Sequence, residues 1–255
     1  MTRLFIQCLL IPTLLLAACG GDARLPQYEL TGSALGTTVS LLLVAPGELF
    51  SKDDLQSSIL ETLEDVDRLA STWREDSELS QFNANASNAW IDTSIEFCEA
   101  VERALEIGRL TDGAFDITVG PLVSLWGFGP EGSVSEPPAE NRLRAVLKEV
   151  GYEQLQTRCD MPAVQKRSGS IYIDLSGWAK GYAVDKLAAL LDQRALKDYL
   201  VEVGGELRVR GHNAEGLKWA IAIETPSTTC LLYTSDAADE GVEGWRWGGG
   251  GGGGG

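Results

Sequence analysis

Residues 111–129 read TDGAFDITVGPLVSLWGFG, and the way this stretch joins its neighbours decides the fold class. Asp112-Gly113 and Gly120-Pro121 are turn formers, while Phe115 and Trp126 offer flat apolar faces to a planar ligand. A helix runs straight into it. That helix opens on a capping-box pattern, Thr93 with Glu96 three residues on, and carries Phe97, Val101, Ala104, Leu105 and Gly108 on one face. Beyond the stretch comes a loop rich in Gly, Pro and Ser over 127–139, then another helix over 140–150 with Gly151 as its stop. Helices and strands therefore do not alternate strictly, which predicts α+β and argues against a doubly wound parallel sheet.

Working outward, the β-branched and apolar run Thr37–Val44 (TTVSLLLV) predicts a strand. A helix of about 20 residues follows, with Leu55, Ile59, Leu63, Val66 and Leu69 at spacings of four, four, three and three. On the far side, 170–175 (SIYIDL) reads as a strand and 179–194 as a helix, followed by strands over 200–203, 206–210 and 218–224. Gly204-Gly205 is a two-residue hairpin signal between the first two of these strands.

The ends read differently. Arg3 precedes an apolar run too short to span a bilayer, closing on Leu16-Ala17-Ala18-Cys19. This is an export signal with a lipobox, so residues 1–18 are expected to be removed and Cys19 to carry lipid. Gly20 after the cysteine favours the outer membrane, and residues 19–30 form a polar tether. From residue 229 the composition breaks, with eight glycines at the end. We read 229–255 as an artefactual, disordered tail and assign the domain to 31–228. Once Cys8, Cys19 and Cys230 are set aside, Cys98 and Cys159 are left either to pair in an oxidising compartment or to stay reduced, Cys98 on a buried helix face.

The net charge of −16 disfavours nucleic acid as a partner. His212 is the only histidine, at a turn after Gly211, which leaves neither a Ser-His-Asp triad nor the nitrogen and sulfur ligands of a zinc site. Carboxylates, hydroxyls and lysine remain, and these suit oxygen-coordinated Mg²⁺ and phosphoryl-type chemistry. Gly127-Phe128-Gly129-Pro130-Glu131-Gly132 matches G-x-G-x-x-G formally, but it follows no strand and opens no helix, so it is no dinucleotide fingerprint. In Asp174-Leu175-Ser176-Gly177-Trp178-Ala179-Lys180-Gly181-Tyr182-Ala183-Val184-Asp185, a strand delivers Asp174 to a helix N-terminus, a favourable place for phosphate, with Lys180 as a point charge.

These segments, with Ser33-Ala34-Leu35-Gly36-Thr37-Thr38, Ser71-Thr72-Trp73-Arg74, Phe82-Asn83 and Val201-Glu202-Val203-Gly204-Gly205-Glu206, resemble the FAD:protein FMN transferase (ApbE) family in order and spacing. Leu35 stands where the family usually has Met. The resemblance implies mixed, mostly antiparallel sheets flanked by helices. It implies FAD contacts at Leu35, Trp73, Ala114, Phe115, Asp116, Asp174 and Lys180, with Asp174 and Lys180 as the candidate catalytic pair and the backbone carbonyl of Gly177 as a ligand of Mg²⁺. The implied reaction moves FMN from FAD to a Thr or Ser hydroxyl of a flavoprotein subunit of a redox complex and releases AMP. Two alternatives stand beside it: a metal-dependent FAD pyrophosphatase, and a non-catalytic flavin-binding lipoprotein. The family's C-terminal Thr-Ser-Gly and His-Ile-x-x-Pro-x-Thr-Gly segments, with the Asp and Ser/Thr that complete its metal site, have no counterpart here, so the chain as written is expected to be inactive.

Overall fold

A computed structural model describes residues 25–224 and 231–236 apart from positions 131, 133 and 135. In chain order the elements are β1 (Gln27–Ala34), β2 (Thr37–Val44), α1 (Lys52–Ala70), α2 (Glu78–Ala84), β3 (Trp90–Asp92), α3 (Ile95–Leu110), α4 (Gly120–Leu125) and α5 (Glu140–Val146). Then follow β4 (Leu155–Arg158), β5 (Ala163–Lys166), α6 (Ser176–Gln193), β6 (Asp198–Val203), β7 (Glu206–Arg210), β8 (Ala220–Glu224) and β9 (Leu231–Asp236). The strands form sheets in the orders β1-β2-β6-β7, β3-β5-β4 and β8-β9. Every pairing within them is antiparallel, as α+β requires.

The four-stranded sheet is built around β2, whose side chains are buried on both faces. Val39, Leu41 and Leu43 point into a core with Leu55, Ile59, Leu63 and Val66 of α1 and with Val184, Leu187 and Leu191 of α6. The alternate residues Leu42 and Val44 pack on Leu200 and Trp219 on the other side. A strand covered twice has no reason to alternate with polar residues, which is why TTVSLLLV reads as a continuous apolar run. All five apolar positions that the spacing placed on one face of α1 are buried, and a fully buried leucine such as Leu55 contributes roughly 2 kcal/mol. The second core joins Phe82, Phe97, Val101, Leu105, Ile117, Val164, Ile173 and Leu175.

Several sequence expectations are corrected. The cap of α3 is Ser94, whose hydroxyl accepts the Phe97 N–H at 3.1 Å. Thr93 lies one residue outside the helix, and its buried hydroxyl has no partner among the described residues. The segment 170–175 belongs to no strand. Its alternation is real, since Ile171, Ile173 and Leu175 are buried, but its backbone bonds to a side chain and a turn in place of a neighbouring strand. α6 starts at Ser176, three residues earlier than expected. The tether ends sooner as well, because Gln27–Leu30 already pair with Leu41–Val44. Leu231–Asp236, placed in the disordered tail, instead runs along β8, where an extended run of apolar and hydroxyl residues satisfies that strand's free edge. Cys98 and Cys159 are joined as a disulfide with Cα atoms 5.7 Å apart. Residues 1–24, including the lipidation candidate Cys19, lie outside the described residues. Among the described residues no helix is long and apolar enough to cross a membrane.

Candidate functional site

Phe115, Asp174 and Gly177 meet at the N-terminal end of α6. Asp174 is buried; its N–H donates to the Ile117 carbonyl at 2.7 Å, and its Oδ1 accepts the Ser176 N–H at 2.7 Å. The carboxylate thus holds the N–H of the first α6 residue while the Asp174 backbone is anchored to the 117–119 turn, so the 111–129 and 174–185 segments meet at this residue. Gly177 sits in that first turn, where a Cβ would come within 3.4 Å of the Phe115 ring. Phe115 itself is held by its N–H donating to Thr111 Oγ1 at 3.1 Å. The phenyl group therefore lies beside the helix start from which N–H groups project, an arrangement suited to an aromatic ring next to a phosphate.

Asp116 carries a structural role that the family resemblance does not announce. Its Oδ1 accepts from both the N–H and the hydroxyl of Thr118, at 2.8 and 2.7 Å, and its Oδ2 accepts the Tyr152 N–H at 2.8 Å. The Thr118 hydroxyl in turn accepts from Gly151 N–H at 2.7 Å. This carboxylate ties the motif to the turn before β4. Ala114 beside it is exposed. Gly120 meets the Tyr172 ring so closely that any side chain there would overlap it.

A second group of residues meets α6 at Lys180. Lys180 lies over the β6–β7 turn, where a Cβ on Gly204 would come within 2.7 Å of its Cδ and 2.8 Å of the Thr37 side chain. Its Nζ is 3.7 Å from Glu206 Oε1. Gly204 and Gly205 both have positive φ, 58° and 99°, which lets a two-residue turn reverse the chain without side chains in the way. Gly204 N–H donates to the Thr38 carbonyl at 3.0 Å, which docks the β1–β2 turn here. At the tip of that turn Leu35 is held at φ 54°, in the left-handed region that costs a branched residue roughly 1 kcal/mol or more. Its side chain packs on the α1–α6 core.

Trp73 is displayed on the turn between α1 and α2, 67% exposed, and its ring has no stacking partner among the described residues. The turn beneath it is rigid. Arg74 bonds to Glu64, Asp67 and Asp76 at 2.8, 3.3 and 2.9 Å, and the buried Ser77 hydroxyl donates to the Ser71 carbonyl at 2.6 Å. The guanidinium holds the Glu64 and Asp76 carboxyls below the usual carboxylate range.

The donors near α6 are oxygens, as Mg²⁺ prefers. Among the described residues, however, no group of three His, Cys, Asp or Glu side chains could hold a metal. The Gly177 carbonyl alone would supply a single oxygen donor. His212 lies at the edge beyond β7, 3.8 Å from Asp198. A cavity of about 530 Å³ between α1, α6 and the start of α3, lined by Arg68, Glu78, Ser94, Tyr182 and Lys186 among others, contains none of the predicted site residues.

Sequence reasoning did not foresee two supports. Lys166 is fully buried, with Nζ donating to the Asn83 and Asn85 carbonyls at 3.3 and 2.8 Å and lying 4.6 Å from the Phe82 ring centre; burial pushes its amine down to about 8. Trp178 and Tyr182 stack with centroids 4.2 Å apart on α6, which their i, i+4 spacing could have signalled.

With this geometry in place, residues 35–242 match the family model described as the ApbE family. The chain belongs to the ApbE family. It is 38% identical over 218 residues to the FAD:protein FMN transferase of Haemophilus influenzae, a match covering 84% of this chain and 62% of that protein. It is 40% identical over 214 residues to the protein of the same name from Vibrio cholerae, covering 84% and 63%. Among solved structures it resembles the flavin transferase ApbE from Vibrio cholerae, with a TM-score of 0.76 and 39% identity, over 79% of this chain and 65% of that one. The chain thus spans somewhat under two thirds of the length of these curated ApbE relatives. The family match also runs past residue 229, across the stretch that contains β9.

Proposed function

We propose that this chain forms the flavin-nucleotide-binding part of an FAD:protein FMN transferase. FAD is the substrate, and a protein hydroxyl of Thr or Ser is the acceptor. The bond between the FMN phosphorus and the bridging oxygen breaks, AMP leaves with that oxygen, and the hydroxyl oxygen takes its place on phosphorus. The hydroxyl proton passes to a carboxylate.

The observation that carries this reading is the meeting of Phe115, Gly177 and Asp174 at the start of α6. Phe115 presents an aromatic face beside the first-turn N–H groups, and Lys180, on the same helix, adds a cation at the β6–β7 turn. Trp73, exposed on a rigid turn, offers a second face for an isoalloxazine ring. The names of the relatives point to the same reaction. Mg²⁺, when bound, would neutralise charge on the diphosphate; the Gly177 carbonyl is this chain's contribution to its ligands. Asp174 stays oriented by Ser176 and Ile117 throughout.

The acceptor we infer is a flavoprotein subunit of a redox complex facing the same compartment. Lipidation at Cys19 would anchor the enzyme to the periplasmic side of the envelope, most simply at the outer membrane, and the Cys98–Cys159 disulfide suits that oxidising setting. To test the function, this chain, extended at its C-terminus to the length of its curated relatives, is titrated into FAD with and without magnesium, followed by flavin fluorescence, then supplied with an acceptor subunit. We expect quenching with Mg²⁺, a fluorescent acceptor band that survives denaturation, and equimolar AMP. Unchanged FAD fluorescence under both conditions would overturn the reading.

A further inference from the structure

Asp174 occupies its position through a backbone that no strand supports. The segment 171–175 is extended and buried at alternate residues, yet it pairs with no sheet. Its central residue, Ile173, is fully buried, and so are its peptide N–H and C=O, which must find partners. Both find the same one. Asn83 Oδ1 accepts the Ile173 N–H at 2.8 Å, and Asn83 Nδ2 donates to the Ile173 carbonyl at 2.8 Å. A primary amide presents one acceptor and one donor side by side, the same pair a neighbouring strand would offer. Asn83 lies in the last turn of α2, and the C-terminal carbonyls of that helix receive the Lys166 amine. The amine is a favourable charge at a helix C-terminus and a physical strut beneath Asn83.

We propose that Asn83 is a positioning residue that fixes Asp174 for its ligand, with Lys166 as the support that holds Asn83 in place. The inference rests on the functional reading only insofar as Asp174 meets FAD. The chain of contacts runs Lys166 to Asn83, Asn83 to Ile173, and Ile173 directly to Asp174, whose carboxylate then holds the Ser176 N–H. Removing the amide frees the backbone one residue before the carboxylate, while the α1–β2–β6 half of the molecule keeps every contact it has.

The test uses the full chain with Asn83→Ala and Asn83→Asp, read by amide hydrogen exchange and by FAD titration with magnesium. In the variants the Ser176 amide, which reports the Asp174 carboxylate, should exchange about ten-fold faster, while the β2 and β6 amides keep their rates. FAD affinity should fall about ten-fold with Asn83→Ala, and this loss should shrink to under about two-fold when Asp174→Ala is already present, since residues acting through one another are not additive. Asn83→Asp keeps the acceptor and loses the donor, so it should fold and show the same selective loss to a smaller degree. Ser176 exchange unchanged in both variants overturns the proposal, as does an affinity loss of equal size with and without Asp174. If the unsubstituted chain binds no FAD, the functional reading fails by itself, and the Ser176 exchange still decides the role of Asn83.

Discussion

Reducing the Cys98–Cys159 disulfide should destabilise the chain by about 4 kcal/mol. The bridge joins α3 to the residue after β4 across a sequence separation of 61, and the loop it closes contains the whole 111–129 stretch, α4 and α5. In the chain-entropy description, closing a loop of that length removes about 14 cal/mol/K from the denatured chain, or about 4 kcal/mol at 25 °C. For a chain of this size that is a fall of roughly 10 °C in Tm. The assay is urea unfolding of one preparation, oxidised and then fully reduced and held under reductant, with the state verified by mass. Comparing redox states of one sequence avoids the cavity that substituting buried Cys98 would leave. The urea dependence should also steepen on reduction, because the uncrosslinked denatured chain exposes more surface. Two curves within about 1 kcal/mol of each other, with equal slopes, would refute the loop-entropy account.

Two further predictions concern packing and charge. Gly120→Ala forces a methyl group against the Tyr172 ring and should cost about 1–3 kcal/mol, measured by thermal denaturation; a neutral result would mean that the ring moves aside freely. Lys166 has a depressed amine, about 8 in the fold against 10.5 in the open chain, so above pH 8 the unfolded state holds the extra proton and the fold gains stability as pH rises. The penalty of the buried charge is complete below pH 8 and gone above about pH 10.5, so the stability of the unsubstituted chain relative to Lys166→Met should climb across that window. A flat difference would show that Lys166 titrates as it does in water.

How much of this was legible depended on how local each cause was. The spacing of Leu55, Ile59, Leu63, Val66 and Leu69 gave α1 and its buried face, because one helix turn decides both. Gly204-Gly205 gave the β6–β7 hairpin for the same reason. The alternation in 170–175 revealed burial correctly and pairing wrongly, since the partner of Ile173 is a side chain 90 residues away, and nothing local distinguishes an amide from a strand. Asp116 was legible as part of a motif but not as a structural tie, since its carboxylate serves Thr118 and Tyr152, the latter brought near only by tertiary folding. Lys166 carries no local mark of burial at all. The capping Ser94 was missed by one residue because Thr93 and Ser94 are both good caps, and the choice falls to Glu78, which receives the Ser94 N–H and hydroxyl at 2.6 Å each. The composition break at 229 was read as an end of folding, yet residues 231–236 continue the β8 ladder.

A strand held by another strand can slide by two residues and recover all its bonds, with the same faces in and out. The segment held by Asn83 has no such freedom, because a single amide recognises a single peptide unit. Length changes in 167–170 would therefore be absorbed in the surface connection, leaving Asp174 where it is. One residue added between Ile173 and Ser176 would break the bond from the Ser176 N–H to the Asp174 carboxylate outright, and no slippage could restore it.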